Sequence, residues 1–283
     1  MTLKAIKTRI YPDSEQQEKI TNNFGCCRFV WNQLLSMQTT RHDNGGNYVS
    51  EFGMNYLIKR LKAEYPFLKE AESTSLLHVS RDLNSAFQKL FKEHHGYPRF
   101  KSRKFPKQSY RSNSVNHNIQ VVKNGYLRLP KLGVMRFKGG RKIAGKIKNV
   151  TIRKSFTGKF YATVLVDSEI QPLKKTNNAV GIDMGVADLM ITSDSVKYPT
   201  IRFDKLLANK KHYWEKRLAR RRLQAIKEIA WDQHNNVSEP RELSDFKNVE
   251  KARIMVAKYS EKIANQRSNY LHQLTKQLVM DYD

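Results

Sequence analysis

The sequence is poor in cysteine and has no long apolar run, and both shortages exclude classes of protein. Its 283 residues include two cysteines, the adjacent Cys26 and Cys27. No CxxC or Cys/His spacing accompanies them, so neither a disulfide framework nor a zinc site is expected. The amino-terminal MTLKAIKTRIYP lacks the apolar centre of a signal peptide. No apolar run approaches membrane-spanning length. We therefore expect a soluble, cytoplasmic protein that does not bind membranes.

Acidic residues are also scarce relative to basic ones. The chain has 52 Lys and Arg against 26 Asp and Glu, a formal net charge of +26 at pH 7. Such an excess repels itself unless a polyanion shares the surface, and phosphate backbones supply that partner through counterion release. Nucleic acid is therefore the leading partner. The alternative is a solvated basic surface with no dedicated ligand.

The first 95 residues contain one strand pattern followed by helical patterns. Residues 3–10 alternate as a half-buried strand does, and Pro12 ends it. Asp13 or Ser14 supplies an N-cap for a helix. Its apolar stripe recurs at spacings of three and four residues, at Ile20, Phe24, Cys27, Trp31 and Leu34. Further helical patterns around 54–63 and 76–91 complete a predicted helical bundle over residues 13–95.

From Gly96 the stretch GYPRFKSRKFPKQSYRSNS mixes cations with aromatic rings and shows neither a helical nor a strand period. Cations suit phosphates and rings can stack on bases, which is what single-stranded or structured RNA requires. The alternative is a basic surface loop anchored by its aromatics. The candidate nucleic-acid contacts here are Arg99, Lys101, Arg103, Lys104, Lys107 and Arg111, interleaved with Tyr97, Phe100, Phe105 and Tyr110.

Strand patterns dominate the next section. NIQVVKNGYLRLPKLGVMRF contains an NG turn and NVTIRKSFTGKFYATVLVD a TG turn, each between β-rich runs. With the first strand they predict a small barrel or curled sheet made of residues 1–12 and 96–173, into which the helical bundle is inserted. The polar KKTNN, residues 174–178, is typical of a linker.

Residues 179–283 open with AVGIDMGVADLMITSD. We predict a buried strand over 179–182, a tight turn at Gly185 and an antiparallel return over 189–192. A third strand is predicted in VKYPTIRF. Two long helical patterns then suit an antiparallel hairpin. The basic triple Arg220, Arg221 and Arg222 is predicted to face solvent or nucleic acid.

Asp183 stands at the end of the predicted buried strand, where a carboxylate costs free energy unless a cation or hydrogen bonds compensate it. A divalent metal of a phosphodiesterase centre is one such cation. An aspartate accepting backbone N–H bonds in a hairpin turn is the second interpretation. Spacing alone favours the turn, because GxDxG is a weak motif.

The ordered series RTRIYPDSEQQEKI, CCRFVWNQLL, GYPRFKSRK, LRLPKLGVMRFKG, KIKNVTIRKSFTGKFYATVLVD, AVGIDMGVADLMITSD and NQRSNYLHQLTKQLV resembles the TnpB (OrfB) family of transposon-associated RNA-guided DNA endonucleases, relatives of type V CRISPR effectors. The resemblance covers almost the whole chain. It implies an α+β protein: a wedge β-barrel with an inserted helical recognition bundle, then a RuvC domain of the RNase H fold.

In function, the resemblance implies a guide RNA transcribed from the element's end and a complementary double-stranded DNA target beside a short flanking motif. Cleavage by RuvC carboxylates holding Mg²⁺ is implied as well. Asp183 matches the first catalytic aspartate and is the candidate metal ligand. Asn116 and Asn118, in SNSVNHN, are similar in position to the family's motif-reading region, and we expect them to reach base edges while Arg111 contacts a phosphate. Tyr48 is a weaker candidate whose expected role is core packing.

The family's remaining active-site segments lie beyond Asp283: a second-motif glutamate, a zinc-binding cysteine segment and a last aspartate. Asp188, Asp194 and Asp204 do not match catalytic positions. We therefore expect an incomplete RuvC-like domain over 179–283, with one of three carboxylates, that does not cleave DNA by itself. Three functions remain open: an RNA-guided endonuclease, a nuclease-dead RNA-guided binder or repressor, and a general RNA-binding protein such as a ribosome-associated factor.

Overall fold

The computed structural model describes residues 2–104, 108–139, 141–169 and 173–283. Half of the structure is helical and 21% is strand, which confirms the α+β class. The chain divides into two compact units, Met1–Ile170 and Gln171–Asp283. In the described ranges no helix is at once long and apolar enough to cross a membrane.

The first unit interleaves one antiparallel sheet with three helices. The helices are α1 (Ser14–Asp43), α2 (Glu51–Glu64) and α3 (Ser73–Glu93), with a short 3₁₀ turn at Pro66–Lys69 between the last two. The strands are β1 (Thr2–Tyr11), β2 (Gln108–Asn113), β3 (Gln120–Lys123), β4 (Tyr126–Leu129), β5 (Gly133–Lys138), β6 (Lys146–Lys154) and β7 (Phe160–Ser168).

The seven strands form a curled half-barrel in the order β2-β6-β7-β1-β5-β4-β3. The first strand is central: β1 pairs with β7 from Thr2↔Ser168 to Ile10↔Phe160, and its inward side chains alternate with exposed ones. Both predicted hairpins are confirmed, with Gly125 (φ 80°) turning β3 into β4 and Gly158 (φ 77°) turning β6 into β7. The described ladders leave β2 and β3 as edges, so the sheet is curled but not closed.

The predicted helix start is confirmed in detail. Asp13 Oδ1 accepts the Gln16 N–H at 2.8 Å, and Gln16 Oε1 accepts the Asp13 N–H at 3.1 Å. The Gln16 amide also donates to the Leu132 carbonyl at 3.0 Å, which ties the start of α1 to the β4–β5 turn. The stripe on α1 is buried and merges with the inner face of the sheet into one core. Packing against the sheet, not helix propensity, thus holds the bundle together.

Strand β2 has no counterpart among the predicted elements, because residues 96–114 show no regular period in sequence. Gln108–Asn113 pairs with β6 at all six positions. Tyr110 and Ser112 are buried while their neighbours are not. Buried and exposed positions therefore alternate, but polar residues occupy most of them. Tertiary pairing with β6 overrides the weak local signal, as is common for edge strands.

The second unit places a small sheet beside a helical hairpin. Its strands are β8 (Ile182–Asp183), β9 (Asp188–Thr192) and β10 (Lys197–Pro199), in the order β10-β9-β8. Its helices are α4 (Phe203–Leu206), α5 (Ala208–His234) and α6 (Lys247–Asp281), with a 3₁₀ turn at Leu243–Asp245. The antiparallel return and the third strand are confirmed, as is the packing of two long helices.

The prediction of a buried strand over 179–182 is wrong. Only Ile182 and Asp183 pair with β9, and both are exposed. The reason is that β8 forms the edge of the sheet, where an apolar run has neighbours on one side only. Gly185 does make the predicted close turn. A Cβ at this position would lie 2.9 Å from the Asp188 carbonyl oxygen, so the approach leaves room only for glycine.

Candidate nucleic-acid interface

Residues 97–101, here called the strap, lie along α1 and are attached to it at three places. The Tyr97 hydroxyl is 3.0 Å from Thr39 Oγ1, and the Trp31 indole N–H donates to the Arg99 carbonyl at 3.0 Å. Asn32 binds both sides of one residue, accepting the Lys101 N–H at 2.8 Å and donating to the Lys101 carbonyl at 3.0 Å. A segment without helix or strand is thereby given a defined backbone.

The Lys101 side chain contacts α1 and so helps to hold the strap in place. Although the residue as a whole is exposed, its ammonium lies 3.6 Å from the centroid of the Trp31 ring. Burial lowers the pKa of Lys101, and the Asp82 carboxylate opposes that shift. A cation over an indole face is stabilised by the ring quadrupole. The candidate phosphate contact Lys101 is therefore an internal contact of this structure.

The remaining cations near the strap have side chains that the fold does not use. Arg99, Arg103 and Lys104 are exposed, and Arg111 is half-buried on the edge strand β2. Within the described ranges no hydrogen bond or ion pair involves their side chains. Lys107 and Phe105 lie outside the described residues.

The loop after β2 carries the two asparagines predicted to contact base edges. In the structure their side chains have different roles. Asn118 Oδ1 accepts the Val115 N–H at 2.9 Å, so that side chain stabilises its own loop. Asn116 is exposed, and both it (φ 48°) and His117 (φ 56°) adopt left-handed backbone. Asn tolerates that conformation better than most residues. Asn116 therefore remains available to a ligand.

The loop is anchored where β2 ends. The Asn113 N–H donates to Thr74 Oγ1 at 2.8 Å, and its side-chain oxygen is 2.7 Å from His78 Nε2. An amide oxygen only accepts, so this contact is a hydrogen bond in the tautomer of His78 that carries its proton on Nε2. Burial lowers the pKa of His78, which favours the neutral ring. Helix α3 thus holds the base of the loop.

Tyr48 packs as expected. Its ring contacts Phe87 and Phe91 at centroid distances of 5.2 and 5.6 Å, and its hydroxyl donates to Asn84 Oδ1 at 2.9 Å. Burial raises the pKa of Tyr48 to about 12. With ring and hydroxyl both engaged, Tyr48 is a packing residue in this structure.

The basic triple on α5 is divided between solvent and the hairpin. Arg220 and Arg222 are exposed, as predicted. Arg221 instead donates from Nη1 to the Asn248 carbonyl at 2.9 Å, which links α5 to the first turn of α6. A cation at that position satisfies a carbonyl across the hairpin, so the three arginines do not share one role.

A second link holds the hairpin at the end of α5. Arg241 makes two bonds of 2.7 Å to the buried Asp232 carboxylate and one of 2.6 Å to Glu228. Arg241 lowers the pKa of Asp232 to about 2. This forked pairing fixes the loop between the two long helices.

Asp183 ends β8 with its side chain exposed. In the described parts of the chain its carboxylate has no hydrogen-bond or ion-pair partner, and no three His, Cys, Asp or Glu side chains come close enough to hold a metal. Nearby Asp194 accepts the Tyr282 hydroxyl at 2.7 Å, so it is engaged locally. The described residues do not fit the two-ion Mg²⁺ centre that the resemblance implies.

Comparison with known families decides the assignment. The helix-turn-helix domain family of IS605 OrfB proteins matches residues 1–47. A second OrfB family of IS605, described as a probable transposase, matches residues 162–283. The chain belongs to the TnpB (OrfB) family. In this TnpB-family chain, residues 2–43 form the strand β1 and the single helix α1 rather than two helices joined by a turn.

Two relatives match over nearly the whole chain. "Putative RNA-guided DNA endonuclease InsQ" of Escherichia coli strain K12 is 30% identical over 281 residues, covering 96% of this chain and 62% of that protein. "Putative RNA-guided DNA endonuclease" of Streptomyces pristinaespiralis is 29% identical over 283 residues, covering 98% of this chain and 64% of that protein. The chain therefore spans a little under two thirds of the length of these relatives.

Trp31 and Asn32 hold the strap, and neither is among the site residues predicted from sequence. The apolar stripe of α1 predicts a core role for Trp31, and the structure confirms that it is buried. The available signal was chemical: a buried indole carries an N–H that needs an acceptor, and no such acceptor is supplied within a helix interior. Spacing along one helix cannot identify which distant carbonyl supplies it.

Proposed function

We propose that this chain binds a guide RNA transcribed from the end of its transposon and, through that RNA, complementary double-stranded DNA beside a short flanking motif. The names of both relatives support the proposal, as does membership of the TnpB family. Base pairing would supply the sequence choice, while the protein binds backbone shape and the flanking motif. Such a role places the protein in the cytoplasm with the nucleic acids.

The observation that carries the proposal is a set of cations that the fold does not use. None of the candidate cations from Arg99 to Arg222 forms an ion pair in the described parts of the structure, although the chain carries +26. Unneutralised charges of one sign destabilise a folded protein through repulsion. Phosphates relieve that repulsion and release counterions on binding. Arg99, Arg103, Lys104, Arg220 and Arg222 are the exposed residues that we assign to phosphates.

The domain assignment follows the same proposal. We assign residues 1–12 and 96–173 to the wedge domain, 13–95 to the inserted recognition bundle, 174–178 to the linker and 179–283 to a RuvC-like domain. Support comes from the sheet, in which β1 pairs with β5 and β7 although α1, α2 and α3 lie between them in sequence. We assign Asn116, the exposed one of the two asparagines in its loop, to the flanking motif of the DNA.

DNA cleavage with Mg²⁺ is not assigned to the described residues. Asp183 would be one oxygen ligand of such a centre, and among the described residues no groups that would complete it stand beside it. What the described side chains support is binding: cations for phosphates and an asparagine amide for a base edge. Asp183 is therefore expected to be dispensable for RNA binding.

A binding series with the full chain tests the proposal. Its affinity for RNA from its own element's end is compared with that for unrelated RNA of equal length and structure, and the loaded complex is then offered matching and mismatched plasmids with Mg²⁺. We expect a preference of about tenfold or more for the element's own RNA, and guide-dependent DNA binding. Equal affinity for every RNA would favour a general RNA-binding protein.

The plasmids distinguish an RNA-guided nuclease from an RNA-guided binder that does not cut. Guided binding without cutting would identify a nuclease-dead binder. Guided cutting that is lost in Asp183→Ala would show that Asp183 works in an active centre with further groups, a result that the described geometry does not anticipate.

A further inference from the structure

We propose that Phe100 is a stacking platform for one unpaired base of a bound RNA, held in place by the strap. This inference rests on the proposed function and adds a defined contact to it. Phe100 is 61% exposed, although phenylalanine is among the residues most often buried. No aromatic contact of its ring is found within the described ranges.

The contacts of the strap with α1 are made by the neighbours of Phe100 and not by its ring. Tyr97 directs its hydroxyl to Thr39 and Lys101 lays its ammonium on Trp31, so both side chains are turned to α1. Phe100, the residue before Lys101, takes no part in these contacts, and its side chain is largely exposed.

The attachment to α1 also fixes the backbone on both sides of Phe100. Arg99 and Lys101, on either side of Phe100, have their carbonyls bound by Trp31 and Asn32 at 3.0 Å each. An exposed apolar side chain on a mobile loop would lose conformational entropy on binding. A side chain whose backbone is already fixed avoids most of that cost.

The surrounding charge selects the partner. Arg99, Arg103 and Lys104 are exposed within four residues of the ring and have no described partner, so an approaching surface must be anionic as well as flat and apolar on its face. An unpaired nucleobase attached to phosphates has both properties, and stacking on a protein ring is tolerant of base identity. A base within a duplex is covered on both faces by its neighbours. The partner is therefore an unpaired strand, and within the proposed function it is a single-stranded or looped part of the guide RNA.

The test uses the full chain and an unstructured RNA labelled with fluorescein, with a blunt RNA duplex of the same length as the second probe. We expect Phe100→Ala to weaken single-strand binding about tenfold. Because no phosphate contact is removed, the dependence of affinity on salt should keep its slope. Phe100→Trp should bind at least as well as the parent. Phe52→Ala is the matched control, since Phe52 is 84% exposed on α2 and away from the strap in sequence.

Each result decides between stacking and a purely cationic surface. If Phe100→Ala binds the single strand within twofold of the parent while Arg99→Gln with Arg103→Gln loses affinity, stacking is wrong and the cationic surface stands. Equal weakening on the duplex would also overturn the stacking contact. If neither variant changes binding, the strap is not the interface, and its part in the proposed function fails as well. Circular dichroism of each variant confirms that the exposed substitutions leave the fold intact.

Discussion

Lys101 and its arginine neighbours provide a test of whether side-chain contacts in the structure predict electrostatic roles. In sequence the three cations Arg99, Lys101 and Arg103 are equivalent. In the structure the ammonium of Lys101 lies on Trp31, whereas the side chains of the two arginines have no partner in the described residues. They should therefore differ in how their removal changes the salt dependence of RNA binding.

The magnitude follows from counterion release. Each phosphate contact on a single strand contributes about 0.7 to the slope of log affinity against log salt. The double variant Arg99→Gln with Arg103→Gln should therefore lower the slope by about 1.4. Lys101→Gln should leave the slope nearly unchanged and instead lower the free energy of unfolding by about 1 kcal/mol, because a cation–π contact is lost.

Fluorescence anisotropy with an unstructured RNA, between about 50 and 200 mM salt, measures the slopes. Urea denaturation of the free proteins measures stability. Lys101→Arg is the matched control, since a guanidinium retains both the charge and the stacking on Trp31. Lys101 would be a phosphate contact and not an internal one if Lys101→Gln lowered the slope as much as a single arginine substitution and left stability unchanged.

Three further predictions concern other parts of the chain. Asp183→Asn should leave RNA affinity unchanged and the unfolding free energy within about 0.5 kcal/mol, because the side chain is exposed without a described partner; a large loss in either measurement would contradict this. Asp232→Asn should lower the melting temperature above about pH 5. Because the native pKa of Asp232 is depressed to about 2, the difference in melting temperature between parent and variant should shrink as pH falls from about 4 through 2. A difference independent of pH would contradict the ion-pair explanation. Leu83→Ala should lower the unfolding free energy by about 3 kcal/mol, since Leu83 is fully buried, whereas Leu77→Ala at a 44% exposed position on the same helix should cost far less by urea denaturation.

Sequence patterns were reliable where the cause was local. The N-cap at Asp13, the glycine turns at Gly125 and Gly158 and the apolar stripe of α1 all depend on residues a few positions apart. Their physics is complete within one segment, so the expected elements are present. The family assignment likewise depended on an ordered series of local motifs.

Predictions that depended on distant partners were less complete. The polar strand β2 exists because β6 lies beside it, and the apolar run before Asp183 is exposed because β8 lies at a sheet edge. Among the candidate cations, Lys101 and Arg221 are engaged by Trp31 and by Asn248. No property of the residue types distinguishes them from their neighbours.

The charge, the α+β class, the hairpin turns and the kinship with TnpB follow from the amino-acid sequence alone, because these depend on composition and on short-range spacing. The tertiary structure alone decided which candidate side chains are available. An arginine or lysine is free for phosphate only if no carbonyl, carboxylate or ring of the folded chain lies within reach. That is settled by contacts between residues far apart in sequence, such as the 68 positions that separate Trp31 from Arg99.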